Sequence, residues 1–216
     1  MTPQIMKAEG QQNRQLMLHL AEQESKYIFS TMSLLFIPLI FEMDNVLNAW
    51  LGETPPYAVF FSQCILISFL VDQLTYGLHT ANQAVGNIRN YSILIYTPKG
   101  LSLVIFAALL YTGHSLESVM YSYIIVEAIV AILRIPYLNK IAGLDISLYM
   151  VHVILRLIPL VTILVIASWV QVRMWDHPYR FVISIPLTAF LGGITAWLTT
   201  FTVSERKILI GLFKKK

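Results

Sequence analysis

The residues of this sequence that could bind a ligand or transfer a proton are the charged and polar side chains within its long apolar segments. A charged side chain at bilayer depth costs about 2.5 to 3.5 kcal/mol on insertion scales, so it faces a cavity or a partner. Such groups can bind a charged substrate, carry a proton or hold two helices together. The candidates for a substrate path are Glu42, Asp72, His79, Lys99, Glu127, Arg134 and Arg156.

Polar residues of the second apolar segment recur at spacings of three and four, which places them on one face of a helix. This pattern predicts that one face of the helix contacts water or pairs with polar groups of another helix. The residues of this stripe are Ser68, Asp72, Thr75, Tyr76, His79, Asn82 and Gln83.

Asp72 and Lys99 are predicted to form an ion pair between the second and third segments. At 1.5 Å per residue, they lie about 12 Å and about 10 Å from the same end of their segments. Two interpretations stay open with equal weight. The pair holds two helices in register, or the two residues line a hydrophilic path.

Glu127 and Arg134 share one face of the fourth segment and lie about 10 Å apart along its axis. Arg134 is expected to extend to the membrane surface, which would leave Glu127 near the midplane without a close cation. We therefore favour a cavity role for Glu127 over a structural one. In the first segment Glu42 forms a stripe with Pro38 and Asn45.

His79 and Arg156 are weaker candidates for the substrate path. A histidine in such a position is more often a hydrogen-bonded packing residue than a proton relay. Arg156 lies near the start of the fifth segment. It ranks behind Lys99 and Arg134 as a group that would offset the charge of a substrate.

The composition excludes a water-soluble fold and several chemistries. Hydrophobic residues make up 56% of the 216 residues and charged residues only 12%, against about 25% in soluble domains. The single cysteine, Cys64, excludes an intramolecular disulfide and a cysteine metal site. No basic stripe is interleaved with aromatic residues, so no nucleic-acid partner is expected.

Six apolar segments are long enough to cross a bilayer, which needs about 20 residues. Because backbone groups in lipid must be satisfied within the segment, each is predicted to be a helix. The predicted fold is all-α, an integral membrane bundle of about six transmembrane helices. The segments are 27–51, 57–80, 92–112, 115–138, 150–170 and 180–202.

The chain is predicted to contain four parts. Residues 1–26 are polar with scattered apolar positions, as in an amphipathic lead-in helix at a membrane surface. Residues 27–138 form a four-helix part, and 139–202 add two further transmembrane helices. Residues 203–216 form a basic tail.

Positive charge is distributed unequally between the two sides. Of the 15 lysines and arginines, eleven lie on the side of the termini, whereas the opposite loops hold only Arg173 and Arg180. The other two, Lys99 and Arg156, lie within segments. By the positive-inside rule both termini are predicted to be cytoplasmic, with the chain in the cytoplasmic (inner) membrane as a multi-pass protein.

Several short stretches, taken in order and with their spacing, resemble the C-terminal part of a family of flippases. These are the polysaccharide or O-antigen (lipid-linked oligosaccharide) flippases of the multidrug/oligosaccharidyl-lipid/polysaccharide exporter superfamily. The resemblance covers almost the whole chain and is least specific beyond about residue 145. Its stretches are Thr2-Pro-Gln-Ile-Met-Lys7, Phe36-Ile-Pro-Leu-Ile-Phe41, Ala49-Trp-Leu-Gly-Glu-Thr-Pro-Pro-Tyr57, Ala81-Asn-Gln-Ala-Val-Gly-Asn87 and Thr97-Pro-Lys99.

This resemblance implies transport of an undecaprenyl-diphosphate-linked oligosaccharide through a central cavity between two helical lobes, for polysaccharide or lipopolysaccharide biosynthesis. The chain is expected to be a truncated form that corresponds to the C-terminal lobe. Its expected partners are the lipid-linked oligosaccharide, the lipid bilayer, and the missing N-terminal lobe or another copy.

Two other functions remain as alternatives to transport. The first is a noncatalytic membrane scaffold or assembly partner, whose buried charges serve only helix pairing. The second, less favoured, is a membrane-embedded enzyme. The sequence lacks the His-Glu-x-x-His and Gly-x-Ser-x-Gly motifs and the paired-aspartate pattern of alcohol-phosphate transferases. We therefore expect no enzyme activity, no cofactor and no metal site.

Overall fold

A computed structural model describes residues 1–202 and 205–206 of the protein. Within these residues the chain is helical and contains no strand. Two short π-helical segments interrupt or extend the last two long helices, at Met150–Ile154 and Ala196–Thr200. The helices are α1 Thr2–Gly10, α2 Arg14–Leu51, α3 Ala58–Gln73, α4 Tyr76–Ala84, α5 Ile88–Tyr111, α6 Leu116–Ala142, α7 Ile146–Tyr149, α8 Leu155–Met174 and α9 Phe181–Thr195.

Five of the described helical stretches are long and apolar enough to cross a membrane, and six if the bent pair α3 and α4 is counted as one span. Five or six such helices suggest a multi-pass membrane protein, and the upper count equals the predicted six. We call the end that holds residues 84–90 and 140–146 the near end. The end that holds residues 51–57, 111–116 and 174–181 is the far end.

The start of the chain differs from the predicted separate lead-in helix. Helix α2 runs without a break from Arg14, so the predicted boundary between residues 26 and 27 falls inside a helix. Ile5 and Ala8 of α1 are buried in the protein, where α1 packs against α2 and α4. The predicted basic tail, 203–216, lies outside the described residues apart from Glu205 and Arg206.

Helix α2 is the centre of the bundle, since α1, α3, α4, α8 and α9 all pack against it. The last two spans therefore belong to the same body as the first four. Gly192 of α9 allows a close approach, because a Cβ there would lie 2.6 Å from a methyl carbon of Leu34 on α2. Small residues permit such contacts between helices in membranes.

The second span is broken between Gln73 and Tyr76, where α3 and α4 meet at a bend of 50°. Helix α4 lies against the backbone of α2, because a Cβ on Gly77 would lie only 1.9 Å from the carbonyl oxygen of Ala21. The Gly77 amide donates a hydrogen bond of 2.9 Å to the Ser25 hydroxyl. A side chain at position 77 would therefore push α4 away from α2.

Backbone carbonyls freed by this break are bound by side chains from two other helices. The Tyr149 hydroxyl donates a hydrogen bond of 2.6 Å to the Leu74 carbonyl. The Arg134 guanidinium donates one of 3.2 Å to the Asp72 carbonyl. Unsatisfied backbone groups in a bilayer cost several kcal/mol, so these contacts stabilise the bend.

Candidate functional site

The first ion pair of the candidate site joins the broken span to α6. Arg134 binds the Asp72 carboxylate at 2.7 Å and the Thr75 hydroxyl at 3.2 Å. The Arg134 side chain is only 4% exposed. The expectation that Arg134 extends to the membrane surface is therefore wrong, because the break in the neighbouring span offers it three acceptors inside the bundle.

The second ion pair joins α5 to α6, where Lys99 lies 2.9 Å from the Glu127 carboxylate. The predicted pair between Asp72 and Lys99 is wrong, and so is the expectation that Glu127 lacks a close cation. Depth along a helix gives the height of a residue but not the direction in which it points. Since α5 packs mainly against α6, Lys99 meets the carboxylate of that helix.

His79 lies at the junction of these two pairs. Its Nδ1 atom is 2.6 Å from the Tyr91 hydroxyl, and its Nε2 atom is 3.0 Å from the Gln83 amide nitrogen. Asp72, Lys99 and Arg134 are all close enough for their charges to act on the ring. The histidine is thus hydrogen-bonded at both nitrogens within one polar cluster.

Part of this cluster reaches the surface of the protein. The Lys99 side chain is 35% exposed and that of Asp72 is 24% exposed. Tyr76 and His79 are half-buried, and Gln83 is exposed. We call these five residues, Asp72, Tyr76, His79, Gln83 and Lys99, the open polar face. The spans that carry the open polar face expose mainly apolar side chains over the rest of their surface.

Glu42 belongs to a third ion pair, nearer the far end, which is closed to the surface. Its carboxylate lies 3.0 Å from Arg180 Nε, and it also accepts hydrogen bonds from Ser184 at 3.0 Å and Asn45 at 2.9 Å. The Glu42 side chain is 2% exposed. Arg180 was assigned to an outer loop from the sequence, and only its position at the start of the last segment pointed towards this contact.

Arg156 is separated from the open polar face and lines a cavity of about 390 Å³ at the near end. Lys26 and Glu205 border the same cavity and form a buried ion pair of 2.6 Å. Burial raises the pKa of the Glu205 carboxyl, but hydrogen bonds from Lys26 and Thr202 and the Lys26 charge together lower it below its usual value. Glu205 was not singled out from the sequence, although Thr202 and Glu205 have the spacing of a capping box.

The described residues contain no group of three or more histidine, cysteine, aspartate or glutamate side chains that could hold a metal ion. Comparisons with protein-family models, curated proteins and solved structures found no match to this chain.

Proposed function

We propose that this chain is one lobe of a transporter that flips undecaprenyl-diphosphate-linked oligosaccharide across the cytoplasmic membrane for polysaccharide or lipopolysaccharide biosynthesis. The observation that supports it is the open polar face. Charged groups that are exposed at membrane depth are costly in lipid, so such a surface is favoured beside water or protein. A path between two lobes would place water and a second protein surface beside these charged groups.

Lys99 is the residue proposed to contact the diphosphate. It has one charged partner, Glu127, and about a third of its side chain is exposed. A phosphate oxygen can therefore replace the carboxylate without unfolding the helices. A buried anion needs charged hydrogen-bond donors that offset its desolvation. Arg134 is less suited to this exchange, because Asp72 and Thr75 already hold it inside the bundle.

The broken span supports the same proposal. Discontinuous helices in transporters are found where substrate or ions bind, and alternating access requires two lobes that move against each other. The open polar face lies directly beside the break at Leu74 and Thr75. We propose that a first lobe or another copy covers this face, with both termini of the chain in the cytoplasm.

A noncatalytic scaffold is the second candidate function, and a different observation favours it. Asp72 with Arg134 and Glu42 with Arg180 are ion pairs in which at least one side chain is almost completely buried. Pairs of this kind join helices without any role in transport. The scaffold interpretation requires that Lys99 and Glu127 form a structural pair as well.

Binding of the lipid-linked oligosaccharide to the purified full chain separates the two candidates. Lys99→Ala is expected to weaken binding at least about tenfold, since a hydrogen bond to a charged group is worth about 1.5 to 3 kcal/mol. Lys99→Arg retains the charge and should keep part of the affinity. Arg173→Ala is the matched control, because that arginine lies at the far end and is exposed.

Glu127→Gln makes the test sharper. If the carboxylate competes with the diphosphate for Lys99, its removal strengthens binding. If the pair is only structural, Glu127→Gln lowers the yield of folded protein and leaves any lipid binding unchanged. Affinity that is unaltered in both Lys99→Ala and Glu127→Gln would remove the open polar face from the substrate path.

A further inference from the structure

The near-end cavity lies at the level where the apolar parts of three helical stretches begin or end. Glu22 and Lys26 lie in the turns of α2 just before its apolar part, which begins at Tyr27. His152 lies in the π-helical segment before α8, and Arg156 lies in the first turn of α8. Glu205 follows the π-helical segment that ends the last span at Thr200. Phospholipid headgroups occupy the same level, immediately outside the hydrocarbon core.

Both π-helical segments of the described chain adjoin this cavity. The first contains His152, which lines it. The second ends at Thr200, whose hydroxyl donates a hydrogen bond of 3.3 Å to the Arg156 carbonyl. Single π-turns are rare and frequently occur at functional sites. Their joint position beside one cavity is an observation independent of its charges.

Among the residues that the structure describes, the charges of the cavity lining balance each other. These residues include two basic ones, Lys26 and Arg156, and two acidic ones, Glu22 and Glu205. This described lining is formally neutral when its histidines are neutral, so it offers a polyanion such as a diphosphate no excess of positive charge. A ligand that carries one charge of each sign matches the lining better.

Two of these four groups have no close polar partner among the described residues. Lys26 and Glu205 bind each other, and Glu205 is held further in a capping box, since it accepts from the Thr202 amide at 2.7 Å. Arg156 makes no side-chain hydrogen bond or salt bridge to any residue in the described ranges. Within the same ranges, the charged partner of Glu22 is His152, whose Nδ1 lies 3.8 Å from the carboxylate, too far for a hydrogen bond.

From these observations we propose that the near-end cavity binds the headgroup of a zwitterionic phospholipid, with Arg156 at the phosphate and Glu22 at the ammonium. Arginine suits phosphate because its planar donors bind two oxygens at once. A carboxylate accepts hydrogen bonds from a primary ammonium, so phosphatidylethanolamine is the lipid class that fits. The cavity volume of about 390 Å³ is of the size of small ligand sites, about 300 to 1,000 Å³. This site does not depend on the proposed transport function.

Native mass spectrometry of the full chain in detergent tests the proposal, with short-chain phosphatidylethanolamine, phosphatidylglycerol and inorganic phosphate as probes. The unsubstituted chain should retain phosphatidylethanolamine in preference to the other two. Arg156→Gln and Glu22→Gln should each weaken its retention about tenfold. Arg173→Gln, outside the cavity, should change nothing. Glu22→Gln should also reduce the preference over phosphatidylglycerol.

Retention of phosphatidylglycerol as tight as that of phosphatidylethanolamine would overturn the proposal in favour of an anion site. Displacement of the lipid by inorganic phosphate would identify a site for free phosphate instead. Because both comparisons use the unsubstituted chain, they decide the question even if a variant fails to fold. Equal retention in Arg156→Gln and in the unsubstituted chain would place the lipid elsewhere.

Discussion

Lys99 with Glu127 and Arg180 with Glu42 are both ion pairs between helices, but only the first reaches the surface. The Lys99 side chain is 35% exposed, whereas the Arg180 side chain is 12% exposed and Glu42 only 2%. Glu42 also accepts hydrogen bonds from Ser184 and Asn45. For Glu127, the described residues provide only the contact with Lys99.

This difference separates two uses of charge inside a membrane. A carboxylate with several donors has no capacity for another ligand, and its pair acts as a structural connection between α2 and the start of α9. A pair with one contact and an exposed edge can exchange its partner at little cost. We therefore expect loss of stability at the closed pair and loss of function at the open one.

The largest effect on stability is expected from Arg180→Met. This change leaves the Glu42 carboxylate buried without a cation, and breaking such a pair costs about 3 to 5 kcal/mol. The double variant Glu42→Leu with Arg180→Met should be more stable than Arg180→Met alone, since no charge remains buried. Unfolding in mixed detergent micelles measures both. A double variant no more stable than the single one would show that the closed pair is not a structural connection.

A smaller loss of stability is expected when the pair between Asp72 and Arg134 is broken. The loss should differ between the two single variants. Arg134→Gln removes the donor to the carboxylate, to Thr75 and to the Asp72 carbonyl. We expect a loss of about 2 to 3 kcal/mol. Asp72→Asn should cost more, because it leaves the almost completely buried Arg134 guanidinium without a counter-ion, whereas the carboxylate left by Arg134→Gln is 24% exposed. A smaller loss for Asp72→Asn than for Arg134→Gln in the same unfolding experiment would contradict this role of the buried charge.

The sequence was sufficient to predict an all-helical chain with about six helices apolar enough to cross a membrane, and to identify the polar residues within them. Apolar length and the cost of charge in lipid determine both, and neither requires knowledge of packing. The predicted ion-pair partners were wrong, since Asp72 binds Arg134 rather than Lys99. Which way a side chain points depends on how neighbouring helices are rotated. The bend between α3 and α4 and its contact at Gly77 were not predictable for the same reason.

The unbroken α2 was also missed, because its first turns are too polar to resemble a span. Met17 and Ala21 are nevertheless completely buried against other parts of the protein. Arg180 was placed in a loop, although it directly precedes α9 and its side chain reaches Glu42. In both cases tertiary contacts gave a role to residues whose local sequence indicated only a surface.

The smallest effect on stability is expected from Lys99→Ala, below those at the other two pairs, because the Lys99 side chain is 35% exposed. The Glu127 carboxylate is itself only 7% exposed, so the loss stays small only if water enters the space that the lysine leaves. The same unfolding experiment should therefore show a stable protein, and in a complete two-lobe flippase this variant should lose export. A loss of stability as large as that of Arg180→Met would make the open pair a structural one.

The most direct test of the open polar face is its access to water in the membrane. Tyr123 lies one helical turn before Glu127 on the same face of α6, whereas Ile125 on the same helix is 57% exposed among apolar residues. In a Cys64→Ala background, Tyr123→Cys and Ile125→Cys are treated with a water-soluble maleimide in membrane vesicles that expose either side of the membrane. If water reaches this face, Tyr123→Cys reacts and Ile125→Cys does not. Failure of both to react, or equal reaction, would contradict a water path along this face.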